Sequence, residues 1–284
     1  ENGLVLMGGT LETDRNIYME SLKLNSGTIN CSTDVNIVCE NLDTSVSGTV
    51  NFKNGNLCVL KACELKKGIN FSLGANFIAY NDCTCNTSYV WQNANAKIHG
   101  HYNGNLLLSK SQMHIFGEVN IDTLYINDSQ LTVKSNLTYT GEFTMSNDNS
   151  YFTVNGDLYA KGKSCLYGWD PSTITGGTME LNGNVYSDDS TYKFVWGWSC
   201  YQYPLYTGDT VKVIFNGKKR QTVTGAAIHF GETYFYNDDV VTETGFTIQN
   251  LASDWNTDSF NNISINNWNE HTISVNGDLS YNKT

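Results

Sequence analysis

The chain has 284 residues, 40% hydrophobic, 12% aromatic and 16% charged, which is enough apolar content for a folded core rather than a disordered chain. Its formal net charge is −11 and it holds two arginines, Arg15 and Arg220, which excludes the basic face that nucleic acid and anionic membrane surfaces require. The charge also disfavours uronate-rich polysaccharides unless calcium bridges them. No apolar run approaches the ~18 residues of a membrane-spanning helix, so no membrane insertion is expected.

In chain order, the first predicted elements are copies of one phrase. A small polar residue is followed by alternating apolar positions, a turn of Asn, Gly or Asp, and a second apolar pair. It stands at Gly9 to Ile17, Gly27 to Val35 and Gly48 to Leu57, then at Ser111 to Val119, Ser129 to Leu137 and Ser150 to Leu158, and again at Gly177 to Val185 and His271 to Leu279. Starts at 9, 27, 48 and at 111, 129, 150 give steps of roughly 18 to 21 residues, a period that belongs to stacked supersecondary units. Within each copy the apolar residues sit two apart, as in Met113 and Ile115, or Leu131 and Val133. That is strand alternation, with one face buried and one wet. No segment sustains a helical period.

One such coil cannot bury its inward residues alone, whereas stacked coils build a continuous core. The predicted fold is therefore all-β, a right-handed parallel β-solenoid with coils of about 20 residues; the handedness follows the usual crossover preference. An antiparallel sandwich also produces alternation and turns, but it does not require the strand phrase itself to recur. About one residue in eight is Asn, a composition suited to corner positions where side-chain amides bond in a ladder.

Regular coils are expected over 1–186, with a loop extruded near 81–95, and a less regular continuation over 187–284 with an aromatic insertion at 187–209. Eight cysteines occur, at 31, 39, 58, 63, 83, 85, 165 and 200. The steps from Cys39 to Cys58 and from Cys63 to Cys83 are about one coil each, which makes both pairs disulfide candidates, along with Cys165 and Cys200. Buried free thiols are the alternative. Cys83-Thr-Cys85 lacks a second pair that would complete a zinc site. The seven Asn-X-Ser/Thr sequons are about the number that chance supplies at this composition.

His99 and His101 lie two apart on one strand face, with His114 about one coil later; imidazoles so placed can share zinc or copper. Asn147-Asp148-Asn149 and Asn237-Asp238-Asp239 could offer oxygens to calcium, although such runs are commonly only turns. No other cofactor is expected. The 187–209 insertion carries Tyr192, Trp196, Trp198, Tyr201, Tyr203 and Tyr206, the ring types that stack on sugars and anchor protein interfaces. Phe194, Trp196 and Trp198 also alternate like one face of an ordinary buried strand.

Beyond the insertion stands Phe215-Asn-Gly217 with Gln221-Thr-Val223-Thr-Gly225, and later Phe260-Asn-Asn-Ile263-Ser-Ile265-Asn-Asn267. This order resembles a motif of secreted bacterial surface proteins built from β-solenoid repeats, large adhesins among them, and the Gly-Thr-Leu and Val-Asn-Gly-Asp-Leu phrases are similar to theirs. The resemblance implies an extracellular module at the bacterial cell surface, without catalysis, attaching to glycans or to host or neighbouring-cell proteins. The cysteine content departs from that group.

Parallel β-helices also carry glycoside hydrolases and polysaccharide lyases. Asn256-Thr257-Asp258 resembles a segment of polygalacturonase-like hydrolases, and Asp238-Asp239 their paired aspartates, which makes Asp238, Asp239 and Asp258 the alternative catalytic set. Ser259 stands where that motif has Gly, and the Asp pair precedes the segment instead of following it. A further alternative is a filament subunit. Neither end of the sequence offers a polar cap, and an uncapped coil invites end-to-end self-association through its unpaired edge.

Overall fold

The computed structural model describes residues 2–44, 48–66, 68–72, 74–85, 87, 90–163, 173–188, 191–195, 198–225, 228–237, 239–242, 246–253, 264–265, 273–275 and 279–281; within 191–195, 198–202 and 241–242, and from 246 onward, it describes the backbone alone. All regular structure among these residues is β-strand. The strands pair in parallel with counterparts one coil away, so the chain is a parallel β-solenoid. It divides into two compact units, residues 1–123 with 128–135, and residues 124–127 with 136–284.

In the first unit one register line runs through Asn36, Asn56, Asn76, Asn95, Gln112 and Gln130, each one coil beyond the last. The next position along each strand is inward. Ile37, Leu57, Phe77, Ala96, Met113 and Leu131 form one interior column, and Cys39, Val59, Ala79, Ile98, Ile115 and Val133 form a second, each at most 1% exposed. The expected shared interior of Leu131, Val133 and their counterparts is present. Each large aliphatic side chain withdrawn from water in this way contributes about 1.5–3 kcal/mol. Rings fill part of the interior: Trp91 stacks on Phe71 with centroids 6.0 Å apart and meets Phe77 edge-on at 5.2 Å.

The corners explain the remaining letters of the phrase. Asn36, Asn56, Asn76 and Asn95 form the anticipated amide ladder, each later Nδ2 donating to the previous Oδ1 at 2.6–2.8 Å. At the opening position, Ser129 Oγ accepts from the backbone N–H of Ser111, and Ser111 Oγ from that of Ala94, each at 3.0 Å. A small hydroxyl thus satisfies a buried donor that the corner would otherwise strand. Where a copy has glycine instead, the backbone needs it: Gly177 has φ +93°, and a Cβ there would lie 2.5 Å from the carbonyl oxygen of Ser150.

Within 81–95, expected as a loop, the described residues include two short strands. Cys83–Cys85 pairs in parallel with Cys63–Leu65 and Tyr102–Gly104, and Val90–Gln92 pairs with Leu107–Ser109. Trp91 is buried, so this segment belongs to the coil and helps fill it.

The second unit stacks in the same way. Tyr151–Val154 pairs with Thr178–Leu181, which pairs with Lys212–Phe215, which pairs with Glu232–Phe235. Coil pairing therefore continues across residue 186. The steps from Tyr151 to Thr178 and from Thr178 to Lys212 are longer than a plain coil because chain is inserted between the paired strands. The second insertion is a hairpin, Thr191–Val195 against Trp198–Gln202, and it is the antiparallel pairing among the described strands.

Candidate functional site

The hairpin leaves the stack after Val185–Ser187 and returns before Lys212–Phe215. Its register places Tyr192 opposite Tyr201 and Val195 opposite Trp198. Trp196 lies outside the described residues, as do the side chains of Tyr192, Trp198 and Tyr201. The alternation of Phe194, Trp196 and Trp198 does not follow one strand, because one strand ends at Val195 and the next starts, reversed, at Trp198.

Tyr203 and Tyr206 sit where the chain rejoins the coils, and both rings are half-buried. Pro204 and Leu205 between them face the interior, and the Tyr139 hydroxyl donates to the Pro204 carbonyl, fastening the base of the insertion to the core. Tyr206 is bridged in parallel to His229: Thr207 N–H donates to the His229 carbonyl at 3.0 Å, and His229 N–H to that of Leu205 at 3.1 Å. The Tyr206 and His229 rings stack at 4.2 Å and 12°, and Tyr203 adds a third, tilted ring 5.5 Å from Tyr206. His229 Nδ1 lies 3.1 Å from the Thr207 carbonyl, so this nitrogen carries the proton and donates. Burial lowers the His229 pKa, opposed by the Thr207 carbonyl and Asp209. At neutral pH the stack is thus an uncharged aromatic platform. His229 was absent from the sequence-based candidate set because it lies outside the aromatic run. The signal was its spacing, about one coil beyond Tyr206.

The histidine set does not assemble. His99 is clasped between Tyr80 and Phe116, with centroids 5.3 and 4.8 Å away and planes within 5°. His101 Nδ1 accepts from the backbone N–H of Glu118 at 3.0 Å. His114 stands opposite Lys97, not opposite His99 or His101, and its pKa is lowered by burial, Lys134 and Lys97. Among the described residues no group of three His, Cys, Asp or Glu side chains is placed to hold a metal ion. The calcium candidates include turn-formers. Asn147 has φ +79° and accepts from the Asn149 N–H, and Asn237 is buried and hydrogen-bonded to Gln221, Lys219 and Asp239.

Of the alternative catalytic acids, Asp238 and Asp258 lie outside the described residues. Asp239 is engaged by Arg220, whose Nε lies 3.0 and 3.2 Å from its two oxygens.

The structure contains no disulfide among the six described cysteines, all of them buried free thiols. Cys39 and Cys58 cannot be partners: the register sets Cys39 against Val59 and Cys58 against Val38, on opposite sheet faces. Cys63 and Cys83 do stand opposite each other, as thiols in contact rather than bonded. Cys165 and the Cys200 side chain lie outside the described residues.

No family model, curated protein or solved structure matches the chain.

Proposed function

We propose that the protein is a non-catalytic extracellular adhesive module of the bacterial cell surface, whose solenoid displays a glycan-binding site at the base of the aromatic insertion. The observation that carries this reading is the Tyr203–Tyr206–His229 stack, in which both tyrosines are half-buried, His229 is buried, and backbone bonds from Leu205 and Thr207 hold His229 beside Tyr206. Ring faces fixed in this way meet the apolar C–H face of a pyranose with little ordering cost, and the neighbouring hairpin brings further Tyr and Trp residues. The net charge of −11 favours neutral over anionic glycans.

A glycan array, followed by titration of the strongest ligand, tests the proposal. Tyr206→Ala is expected to weaken binding about tenfold or more, the equivalent of about 1.4 kcal/mol, and Trp196→Ala with Trp198→Ala is expected to do likewise. Undiminished binding in both variants would contradict the site. Reducing-sugar release from the same glycans would contradict the absence of catalysis.

A further inference from the structure

Among the described cysteines, Cys63 and Cys83 are the pair that face each other directly across neighbouring coils, in register on parallel strands. Their sulfurs are 3.1 Å apart, about 1 Å beyond the ~2.0 Å of an S–S bond. Adjacent strands run ~4.8 Å apart, within the Cα separation that a disulfide spans. The other described thiols have no such opposite number. Cys39 faces Val59, Cys58 faces Val38 and Ile78, and Cys85 faces Leu65 and Gly104.

We propose that Cys63 and Cys83 form a disulfide that staples two successive coils when the chain folds in an oxidising compartment. The oxidant is a small-molecule disulfide such as oxidised glutathione. One thiolate attacks it, forming a mixed disulfide and releasing one thiol; the second cysteine, deprotonated, attacks the protein sulfur of that mixed disulfide and releases the other. Two protein thiols are oxidised and two small thiols produced. The bond closes as the two coils come into register and before burial is complete, because the nucleophile is the thiolate and a buried thiol resists deprotonation. The hydrogen bond between the two sulfurs and burial together raise the Cys83 pKa, and burial, with Cys63 and Cys58 nearby, pushes Cys39 up to about 12. Once folded and reduced, Cys83 resists both oxidation and alkylation.

The test is a thiol count, so it stands or falls separately from glycan binding. Full-length protein is unfolded under reducing conditions and refolded against a mixture of reduced and oxidised glutathione. It is then alkylated in denaturant and mapped by peptide mass spectrometry. The expected result is a linked Cys63–Cys83 peptide that disappears on reduction, and a melting temperature ~5–10 °C above that of the reduced protein. Cys63→Ala with Cys83→Ala is expected to lose both signatures. Should that variant fail to fold, Cys39→Ala, which leaves the pair intact, is expected to keep the linked peptide. Full alkylation of Cys63 and Cys83 after oxidative refolding, or linkage of either to another cysteine, would overturn the proposal.

Discussion

A shift of one residue decides the fate of a side chain in this chain. Cys58 falls one position short of Val59, the residue that the register sets against Cys39, so the two thiols point to opposite sides of the sheet. Two residues, Leu60 and Lys61, also oppose the single Glu40, a bulge that the sequence period cannot reveal. The same strictness makes inward positions sensitive and their neighbours tolerant. Leu131 is fully buried between coils, whereas Thr132 beside it points away from the interior. Leu131→Ala is expected to cost about 2–5 kcal/mol by removing apolar contact and leaving a cavity. Thr132→Ala is expected to stay within about 0.5 kcal/mol. Denaturant titration of the two variants checks the contrast; equal losses would mean that the alternation is misassigned.

At the scale of elements, the strand phrase was readable because its parts have separate physical causes. Alternation fills the interior columns, Ser or Gly turns the first corner, and Asn builds the ladder between coils. Where one of these causes is missing, the sequence misled. Cys83–Cys85 and Val90–Gln92 are short strands that lack the phrase, so composition alone suggested a loop, although Trp91 in the second of them anchors the core. In the insertion, the turn between Val195 and Trp198 was hidden inside an alternating aromatic run. His229 was invisible for the opposite reason: a lone histidine gains its meaning only when the coil brings Tyr206 beside it. The hairpin is also separable from the stack, because Thr178–Leu181 pairs directly with Lys212–Phe215 without it. Replacing residues 191–202 with a short Asn-Gly turn is thus expected to leave the thermal transition within a few degrees of the parent while weakening glycan binding. Collapse of the β-sheet circular dichroism signal in this variant would contradict the separation.

For the molecule as a whole, each coil supplies hydrogen-bonding edges and an apolar surface that only another coil of the same kind can satisfy. That reciprocity explains how a chain with 25 glycines and 16% charged residues folds without a single helix among its described residues. It also explains why side-chain ladders repeat from level to level: an amide, a hydroxyl or a ring placed at a corner meets its own kind one coil later. The staple proposed between Cys63 and Cys83, the amide ladder and the platform at Tyr206 all use this vertical adjacency, each with different chemistry. Parallel pairing at fixed register is the premise they share. Nuclear Overhauser contacts in isotope-labelled protein report on it directly. The account predicts amide–amide and Cα-proton–amide contacts linking Met113 and His114 to Leu131 and Thr132, without Cα-proton–Cα-proton contacts between them. Strong Cα-proton–Cα-proton contacts joining 112–115 to a strand of opposite direction would contradict it.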